Sequence, residues 1–174
     1  MPSLALVLCA SMLITSCGSS SPSALQDTQN DKIKIGSFNL LRLGYGSTKD
    51  FSRIAKIIRD ANFDILAAQE VMTEDGAHDL LDALNHRSRT NWAMLFSKTA
   101  TGESNYKEHF AIYYKEDIVS VKTRGYTFCS SGKAYSYLDG GCFARDYRRV
   151  EGQPDFSRDP FVGQFKFNDN EIAL

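Results

Sequence analysis

Residues 64–71 read DILAAQEV, the segment of the chain that is most informative about its fold. Its apolar run from Ile65 to Ala68 is uninterrupted and bounded by polar residues, which is typical of a strand buried on both faces of a sheet. In α/β sheets, ligands bind beyond the carboxyl ends of such strands. Glu70 lies at that end and is a candidate oxygen ligand for a hard cation. A carboxylate that merely marks where the strand reaches solvent produces the same pattern.

Helical and strand patterns alternate around this stretch. Residues 32–39 alternate and then become continuously apolar, which predicts a first strand. Residues 47–50 have the spacing of a capping box ahead of an amphipathic helix over 51–61. Further along, the apolar spacing predicts a second helix over Glu74–Asn85 and a third strand over Trp92–Phe96. This order predicts an α/β fold with parallel strand pairing and right-handed crossovers.

The later part of the chain predicts shorter connections between strands. Residues 109–114 and 118–121 are predicted strands on either side of a tight turn, as in a β-hairpin. Residues 129–157 are rich in Gly, Tyr and Arg and predict a long loop, of a length usually tied to function. Phe161–Phe167 alternates as a strand, and a turn at 168–170 precedes a last strand at 171–174.

Composition narrows the classes of function. The chain has 174 residues, of which 43% are hydrophobic, enough for one domain with its own core. Its formal net charge is -1 at pH 7, so no protein-wide positive field points to nucleic acid or an anionic membrane. Any recognition of a polyanion must be local or must use a bound cation.

The N-terminal segment predicts export. Residues 4–14 form an apolar stretch of signal-peptide length, too short to span a bilayer, so no transmembrane helix is expected in the mature chain. The following Ile-Thr-Ser-Cys resembles the lipobox of bacterial lipoproteins. That resemblance implies a signal peptide over 1–16, a lipid on Cys17 as the only membrane anchor, and a flexible linker over 17–31 on the cell envelope or surface. Since no Lys or Arg precedes the apolar run, a plain secretory signal and a start codon placed too late are the alternatives.

Two further cysteines remain in the mature domain. Cys129 and Cys142 lie in one polar segment, and in an oxidising compartment such a pair predicts a disulfide that closes the loop. A crosslink over a loop of this length contributes about 3 kcal/mol in the chain-entropy model. A zinc site is less favoured, because no second Cys pair or nearby His has ligand spacing.

Four sequence patches carry a recognisable pattern: SFNLLRLG at 37–44, AAQEV at 67–71, SNYKEHFAIYY at 104–114 and DFSRDPFVGQFKF at 155–167. Together they resemble the endonuclease/exonuclease/phosphatase superfamily. The first two occur across that superfamily, whereas the third and fourth resemble secreted deoxyribonuclease I. The resemblance covers residues 32–174 and implies the N-terminal portion of the domain, the first half of a four-layer α/β sandwich with a mixed sheet flanked by helices.

The resemblance implies roles for matching residues. Asn39 orients the scissile phosphate or metal-bound water and is a metal-site residue together with Glu70, which ligates a divalent cation, Mg²⁺ with Mn²⁺ as the alternative. Glu108 holds a catalytic histidine in its working tautomer. Tyr106 lies against a deoxyribose in the minor groove, and Arg158 contacts a backbone phosphate. Structural Ca²⁺ is a further expectation of the family, but its sites have no identifiable residues here.

Several residues depart from the family pattern. Met72 stands where secreted deoxyribonucleases have a second arginine. Arg42 is the near match to a groove-contacting arginine, one place out of register. The predicted loop is longer and more basic than expected, and its arginines are either a substitute DNA-contacting patch or a solvated cluster. They are Arg145, Arg148 and Arg149.

The three histidines of this chain do not match the catalytic histidines of the superfamily. His78 and His86 are expected to be solvated, and His109 is expected to point to the strand face opposite Glu108. The family positions for catalytic histidines and a later Asp-Asn pair have no counterpart before Leu174. We therefore expect the natural protein to continue beyond Leu174, and this chain alone to be inactive. The alternative is a half-fold that does not hydrolyse by this mechanism.

Three functions follow from these observations. The leading hypothesis is a monomeric, exported, Mg²⁺-dependent deoxyribonuclease-like hydrolase that cuts DNA with low sequence specificity. The second is a phospholipid or sugar-phosphate phosphodiesterase of the same superfamily. The third is a non-catalytic, lipid-anchored surface protein that binds nucleic acid or mediates adhesion.

Overall fold

The structure, a computed structural model, describes residues 32–46, 48–97, 99–102, 106–122, 141–143 and 160–174. Within these segments the chain forms two helices and eight strands. In chain order they are β1 (Ile35–Leu43), α1 (Phe51–Asp60), β2 (Ile65–Val71), α2 (Glu74–Asn85), β3 (Trp92–Phe96), β4 (His109–Lys115), β5 (Ser120–Val121), β6 (Gly141–Phe143), β7 (Phe161–Phe167) and β8 (Asn170–Ala173).

The first sheet has the strand order β1-β2-β4-β3. β1 and β2 are parallel, as the sequence predicts, whereas β4 is antiparallel to both β2 and β3. The expectation of parallel pairing throughout was therefore wrong for β3, which runs in the same direction as β2 but is separated from it by β4. Alternation of helices and strands sets the direction of strands but does not exclude a later strand from inserting between them. The predicted α/β fold with a mixed sheet is confirmed.

The predicted hairpin between β4 and β5 is not formed. Both edges of β4 are occupied by β2 and β3, so β5 has no edge of β4 with which to pair. The turn after β4 instead carries the chain to a second sheet, where β5 pairs antiparallel with β7.

The second sheet is built around β7. β5 and β6 pair with β7, and β8 pairs with it through a turn at Asn168 and Asp169. β6 corrects the prediction of an unbroken loop over 129–157. The three residues of β6, the first of which is a glycine, are too few to show the alternation of apolar and polar side chains that marks a strand. Their pairing with β7 is what identifies them as a strand.

Helices and the second sheet cover opposite faces of the first sheet. α1 and α2 pack with one set of β1, β2 and β4 side chains, including Leu66 and Tyr113. Tyr113 is fully buried, and its hydroxyl donates to the carbonyl of Ala77 in α2 (3.0 Å). Burial raises the pKa of this hydroxyl well above its usual range. On the other face, the ring of Tyr114 meets that of Phe165 in β7 edge-on, with centroids 5.3 Å apart. The inner strands β2 and β4 of this sheet are thus covered on both faces, whereas most residues of the edge strand β1 are exposed or half-buried.

Helix α1 begins differently from the prediction. Asp50 is itself the N-cap, and its carboxylate accepts from the backbone N–H of Arg53 (3.0 Å) and the hydroxyl of Ser52 (2.7 Å). The expected capping box, with Asp50 as the third helical residue, is therefore wrong. Aspartate is as good an N-cap as serine, and it lies immediately before the first helical residue, Phe51.

The hydrogen bonds of the Asp50 carboxylate lead us to expect that its contribution to the free energy of unfolding depends on pH. The hydroxyl of Ser52 and the N–H of Arg53 hold the pKa of Asp50 below its ordinary value. A depressed pKa contributes stability that is present above the unfolded-state pKa and is lost as pH falls through the folded-state pKa. We expect the stability difference between wild type and Asp50→Asn, which keeps a cap but does not titrate, to be constant near neutrality and to shrink below about pH 4. Urea unfolding of both proteins across this range is the measurement, and a pH-independent difference contradicts it.

The turn that follows β1 packs against the N-terminus of α2. Gly44 has φ +83° there, which favours glycine. Thr73 caps α2 by accepting from the N–H of Gly76 (3.0 Å). A Cβ on Gly76 would lie 2.5 Å from the Cα of Gly44, and one on Gly44 would lie 2.0 Å from the hydroxyl of Thr73. Two glycines thus permit a backbone contact that no larger residue allows.

Gly76→Ala is expected to destabilise the protein although alanine is the better helix former. The added methyl group must push the turn at Gly44 away, at about 1–3 kcal/mol for overpacking. That exceeds the gain in helix propensity of about 1 kcal/mol. Denaturant unfolding measures the net change. Asp79→Ala, at an exposed position of the same helix, is the control and is expected to stay within about 0.5 kcal/mol of wild type. A stabilised Gly76→Ala protein contradicts the packing argument.

Candidate active site

Asn39 and Glu70 meet at the ends of the two parallel strands. Asn39 pairs with Gln69 in the register of β1 and β2. The side-chain amide of Asn39 donates to Oε1 of Glu70 (2.8 Å), and its Oδ1 accepts from the backbone N–H of Leu41 (2.8 Å). Both ends of the amide are therefore engaged, and Asn39 holds the carboxylate of Glu70 in one orientation.

The backbone is irregular at this point in both strands. The register shifts between Asn39 and Leu43 in β1, and between Ala68 and Val71 in β2. Glu70 has φ +56°, in the left-handed region that residues other than glycine rarely adopt. Such irregularities re-aim side chains and occur preferentially beside functional sites, where the surrounding structure maintains the strain. The sequence does not encode this bulge in any visible pattern.

One pocket of about 420 Å³ gathers four of the predicted site residues. Asn39 and Glu70 come from the strand ends, and Tyr106 and Glu108 from the segment that leads into β4. Its lining is completed by three residues that the sequence did not single out. They are Gln69, Phe110 and Pro160.

Gln69 supports the strand ends from the side. Its Nε2 donates to the hydroxyl of Ser37 on β1 (2.7 Å) and, more weakly, to the carbonyl of Ala67 (3.3 Å). The sequence feature that could have indicated Gln69 as a site residue is its position next to Glu70, at the polar C-terminal end of β2. This cross-strand bond adds to the parallel pairing next to the pocket.

Glu108 is a buried carboxylate, 6% exposed, in the wall of the pocket. Its backbone N–H and carbonyl both pair with Thr101, each at 2.9 Å. The adjacent His109 serves a structural purpose: its ring stacks on Phe96 with centroids 4.8 Å apart, and its Nδ1 lies 2.6 Å from the carbonyl of Ser97. His109 does not line the pocket.

The two remaining histidines lie elsewhere. His78, on α2, and His86, at its C-cap, are exposed as predicted. Within the described part of the chain, the pocket therefore contains carboxylates but no imidazole.

Arg42 lies between two tyrosines near the pocket. Its guanidinium carbon is 4.2 Å from the ring centroid of Tyr45 and 5.6 Å from that of Tyr106. The predicted DNA-contacting pair, Arg42 and Tyr106, is thus brought together although 64 positions of sequence separate the two residues. Tyr45 was not among the site residues predicted from the sequence.

The residues present fit one part of a divalent-cation site. A carboxylate fixed by an amide donor is a suitable oxygen ligand for a hard cation. Across the segments that the structure describes, no three His, Cys, Asp or Glu residues are grouped as a metal site. Glu70 therefore offers a first ligand with its hydrogen-bonding support, and not a complete coordination set.

Other predicted residues lie outside the described segments. These include Cys17 of the lipobox, Cys129 of the predicted disulfide and Arg158. Cys142 is buried on β6 and is disulfide-bonded, and its pairing with Cys129 stays a prediction. The three loop arginines are also outside: Arg145, Arg148 and Arg149.

The sequence is similar to curated deoxyribonucleases. It is 30% identical over 134 residues to a deoxyribonuclease of Thioalkalivibrio sp. (strain K90mix), with 77% of this chain and 30% of that protein covered. It is 31% identical over 148 residues to mouse deoxyribonuclease gamma, with 82% and 41% covered. Chicken deoxyribonuclease-1 is 29% identical over 136 residues, with 76% and 42% covered.

The matches cover most of this chain but less than half of each relative. The chain spans between 30% and 42% of the length of these three relatives. No family model matches the sequence. The mixed α/β fold and the repeated similarity to deoxyribonucleases agree with each other. The similarity to these deoxyribonucleases and the mixed α/β fold support a relationship of this chain to the deoxyribonuclease I-like proteins of the endonuclease/exonuclease/phosphatase superfamily.

Proposed function

We propose that the complete protein carrying this chain is an Mg²⁺-dependent endonuclease that hydrolyses DNA with low sequence specificity. The observation that carries the proposal is the 2.8 Å hydrogen bond from Asn39 to Glu70, in one pocket with Tyr106 and Glu108. The deoxyribonuclease names of the relatives support the choice of DNA over other phosphodiesters.

The side chains suit this chemistry. Hydrolysis of a phosphodiester requires neutralisation of its charge and activation of a water molecule, and Mg²⁺ supplies both when bound. Glu70 holds the cation, with Mn²⁺ as the alternative, and Asn39 keeps the carboxylate oriented. Glu108 accepts a hydrogen bond from an imidazole supplied by the rest of the protein and so selects its working tautomer.

The rim of the pocket suits a double-stranded substrate. Tyr106, 39% exposed, offers a flat face to a sugar in the minor groove, where readout of sequence is weak. Arg42 beside it brings a guanidinium, whose donors match phosphate oxygens, and Arg158 is proposed as a second phosphate contact. Contacts of these kinds orient DNA without selecting a sequence.

Plasmid nicking by the complete protein tests the proposal. With Mg²⁺ we expect supercoiled DNA to become nicked, and EDTA to reduce the rate to background because the phosphate charge is then uncompensated. Mn²⁺ added after EDTA is expected to restore nicking. Nicking that persists at full rate in EDTA contradicts metal dependence.

The same preparation separates the alternative functions. Release of headgroups from phospholipid vesicles, or hydrolysis of sugar phosphodiesters, without any DNA nicking favours the phosphodiesterase. Salt-sensitive DNA binding without cleavage of any substrate favours the non-catalytic surface protein.

We also propose that the protein is exported, with residues 1–16 removed, Cys17 acylated and 17–31 as a linker. The lipobox-like sequence and the Cys129–Cys142 pairing expected in an oxidising compartment support this proposal. Among the described residues, no helix is long and apolar enough to cross a bilayer. We propose a monomer as the active form.

A further inference from the structure

The backbone conformation of residues 42–45 brings the side chains of Arg42 and Tyr45 together. Residues 42–45 form a turn in which the N–H of Tyr45 donates to the carbonyl of Arg42 (3.1 Å). Gly44 occupies the third position with φ +83°, the value that a type II turn requires there. Arg42 itself has φ +59°. The ring and the guanidinium therefore face each other because of the turn that joins them.

The turn over residues 42–45 packs against the N-terminus of α2. Gly44 packs against Thr73 and Gly76 at the N-terminus of α2, so closely that neither glycine has room for a Cβ. The orientation of Arg42 is thus tied to a rigid helix end. An arginine on an ordinary exposed strand end has no such support.

Stacking leaves the guanidinium competent to bind an anion. Cation–π contact uses the flat face of the group, whereas its five N–H donors lie in the plane. Among the described residues, none accepts a hydrogen bond from the Arg42 guanidinium. Because Tyr45 is 60% exposed and Tyr106 39% exposed, the cluster is accessible at the protein surface beside the pocket.

We propose that Tyr45 is a positioning residue for DNA binding: by stacking on Arg42 it holds the guanidinium beside Tyr106, where it contacts a backbone phosphate of duplex DNA. The inference rests on the proposed function. A long, flexible arginine loses conformational freedom when it binds, and an arginine already held in place loses less. Tyr45 acts on affinity through Arg42 and not through the reacting phosphate.

A double-mutant cycle on DNA affinity tests this role. The complete protein with Glu70→Gln, which is expected to cleave too slowly to consume the duplex during the measurement, is titrated with a short fluorescent duplex in Mg²⁺. Tyr45→Leu is expected to raise Kd about twofold to fivefold, the size of a cation–π contact at an exposed site. Tyr45→Phe keeps the aromatic face and is expected to bind as the parent does. Arg42→Ala is expected to reduce the slope of log K against log salt concentration by about 0.9, the value for one phosphate contact.

The diagnostic result is non-additivity. In the Arg42→Ala background, Tyr45→Leu is expected to have no further effect on Kd, because its action requires the guanidinium. An equal loss with and without Arg42 shows that Tyr45 contacts DNA itself and overturns the positioning role. Thermal unfolding of each variant checks for a general loss of structure. The unfolding midpoint of Tyr45→Leu is expected to stay near that of the parent protein, because leucine keeps an apolar side chain on an exposed turn.

The failure of the inference is distinguishable from the failure of the proposed function. If wild type nicks plasmid and Tyr45→Leu binds with unchanged Kd, the inference is overturned and the nuclease remains. If wild type neither binds nor nicks DNA, both are overturned. Ile57→Ala, at a position 51% exposed on α1, is the matched control for loss of an exposed apolar side chain and is expected to leave Kd unchanged.

Discussion

Replacing Glu70 with glutamine is expected to reduce plasmid nicking by the complete protein roughly 10²–10³-fold. Glutamine keeps the size of the side chain and an oxygen within reach of the Asn39 amide, but it removes the negative charge. The bond from Asn39 to Glu70 (2.8 Å) shows that the carboxylate is already oriented, so the loss is one of charge at an intact site. Initial nicking rates of both proteins at saturating Mg²⁺ give the factor.

A titration with Mg²⁺ distinguishes a ligand from a merely structural carboxylate. If Glu70 ligates Mg²⁺, Glu70→Gln is expected to raise the Mg²⁺ concentration at which nicking is half-maximal. Its thermal stability without metal is expected to stay near that of wild type. Glu116→Gln, an exposed glutamate in the turn after β4, is the control and is expected to leave both quantities unchanged. Wild-type rates for Glu70→Gln at every Mg²⁺ concentration would remove Glu70 from the proposed site.

Asp64→Ala is expected to lower the free energy of unfolding by about 3–5 kcal/mol, the largest stability effect that we predict. Asp64 is 5% exposed, and its carboxylate lies 3.0 Å from the ammonium group of Lys115, which is 7% exposed. The same carboxylate accepts from the backbone N–H of Lys34 (2.8 Å). Its removal leaves a buried cation with only the side-chain oxygen of Asn62 (3.0 Å) as a described hydrogen-bond partner.

Urea unfolding with two comparison variants measures this effect. Lys56→Met breaks an exposed ion pair with Asp60 and is expected to cost about 1 kcal/mol or less. Asp64→Leu combined with Lys115→Met removes both buried charges and is expected to recover part of the loss. A loss for Asp64→Ala no larger than that for Lys56→Met would show that the buried pair contributes little.

Helix α2 and strands β3 and β7 have the bounds expected from sequence. Each is a segment whose apolar residues recur with one clear period, and each is ended by polar or turn-forming residues. Glu70 was found from its position at the carboxyl end of a buried strand, and Asn39 from the resemblance of residues 37–44 to the superfamily pattern. Their predicted roles stay predictions until the nicking experiments are done.

Other features of the site had no local signal. The bulge at Glu70, with φ +56°, follows from pairing with two neighbouring strands at once. The stacking of Arg42 on Tyr45 depends on where Gly44 meets the end of α2. Gln69 was adjacent to a predicted ligand, but its bond to Ser37 exists only because β1 lies beside β2.

Periodicity and polarity act between residues close in the chain, so they were sufficient to predict both helices, strands β3 and β7, the parallel β1–β2 pair and the polar strand ends that carry Asn39 and Glu70. Three arrangements became apparent only in the folded structure: β4 inserts between β2 and β3, β5 joins another sheet, and Arg42 lies between Tyr45 and Tyr106. These arrangements depend on which strand edges and surfaces remain available once the others have packed. That competition between distant segments leaves no periodic trace in the sequence.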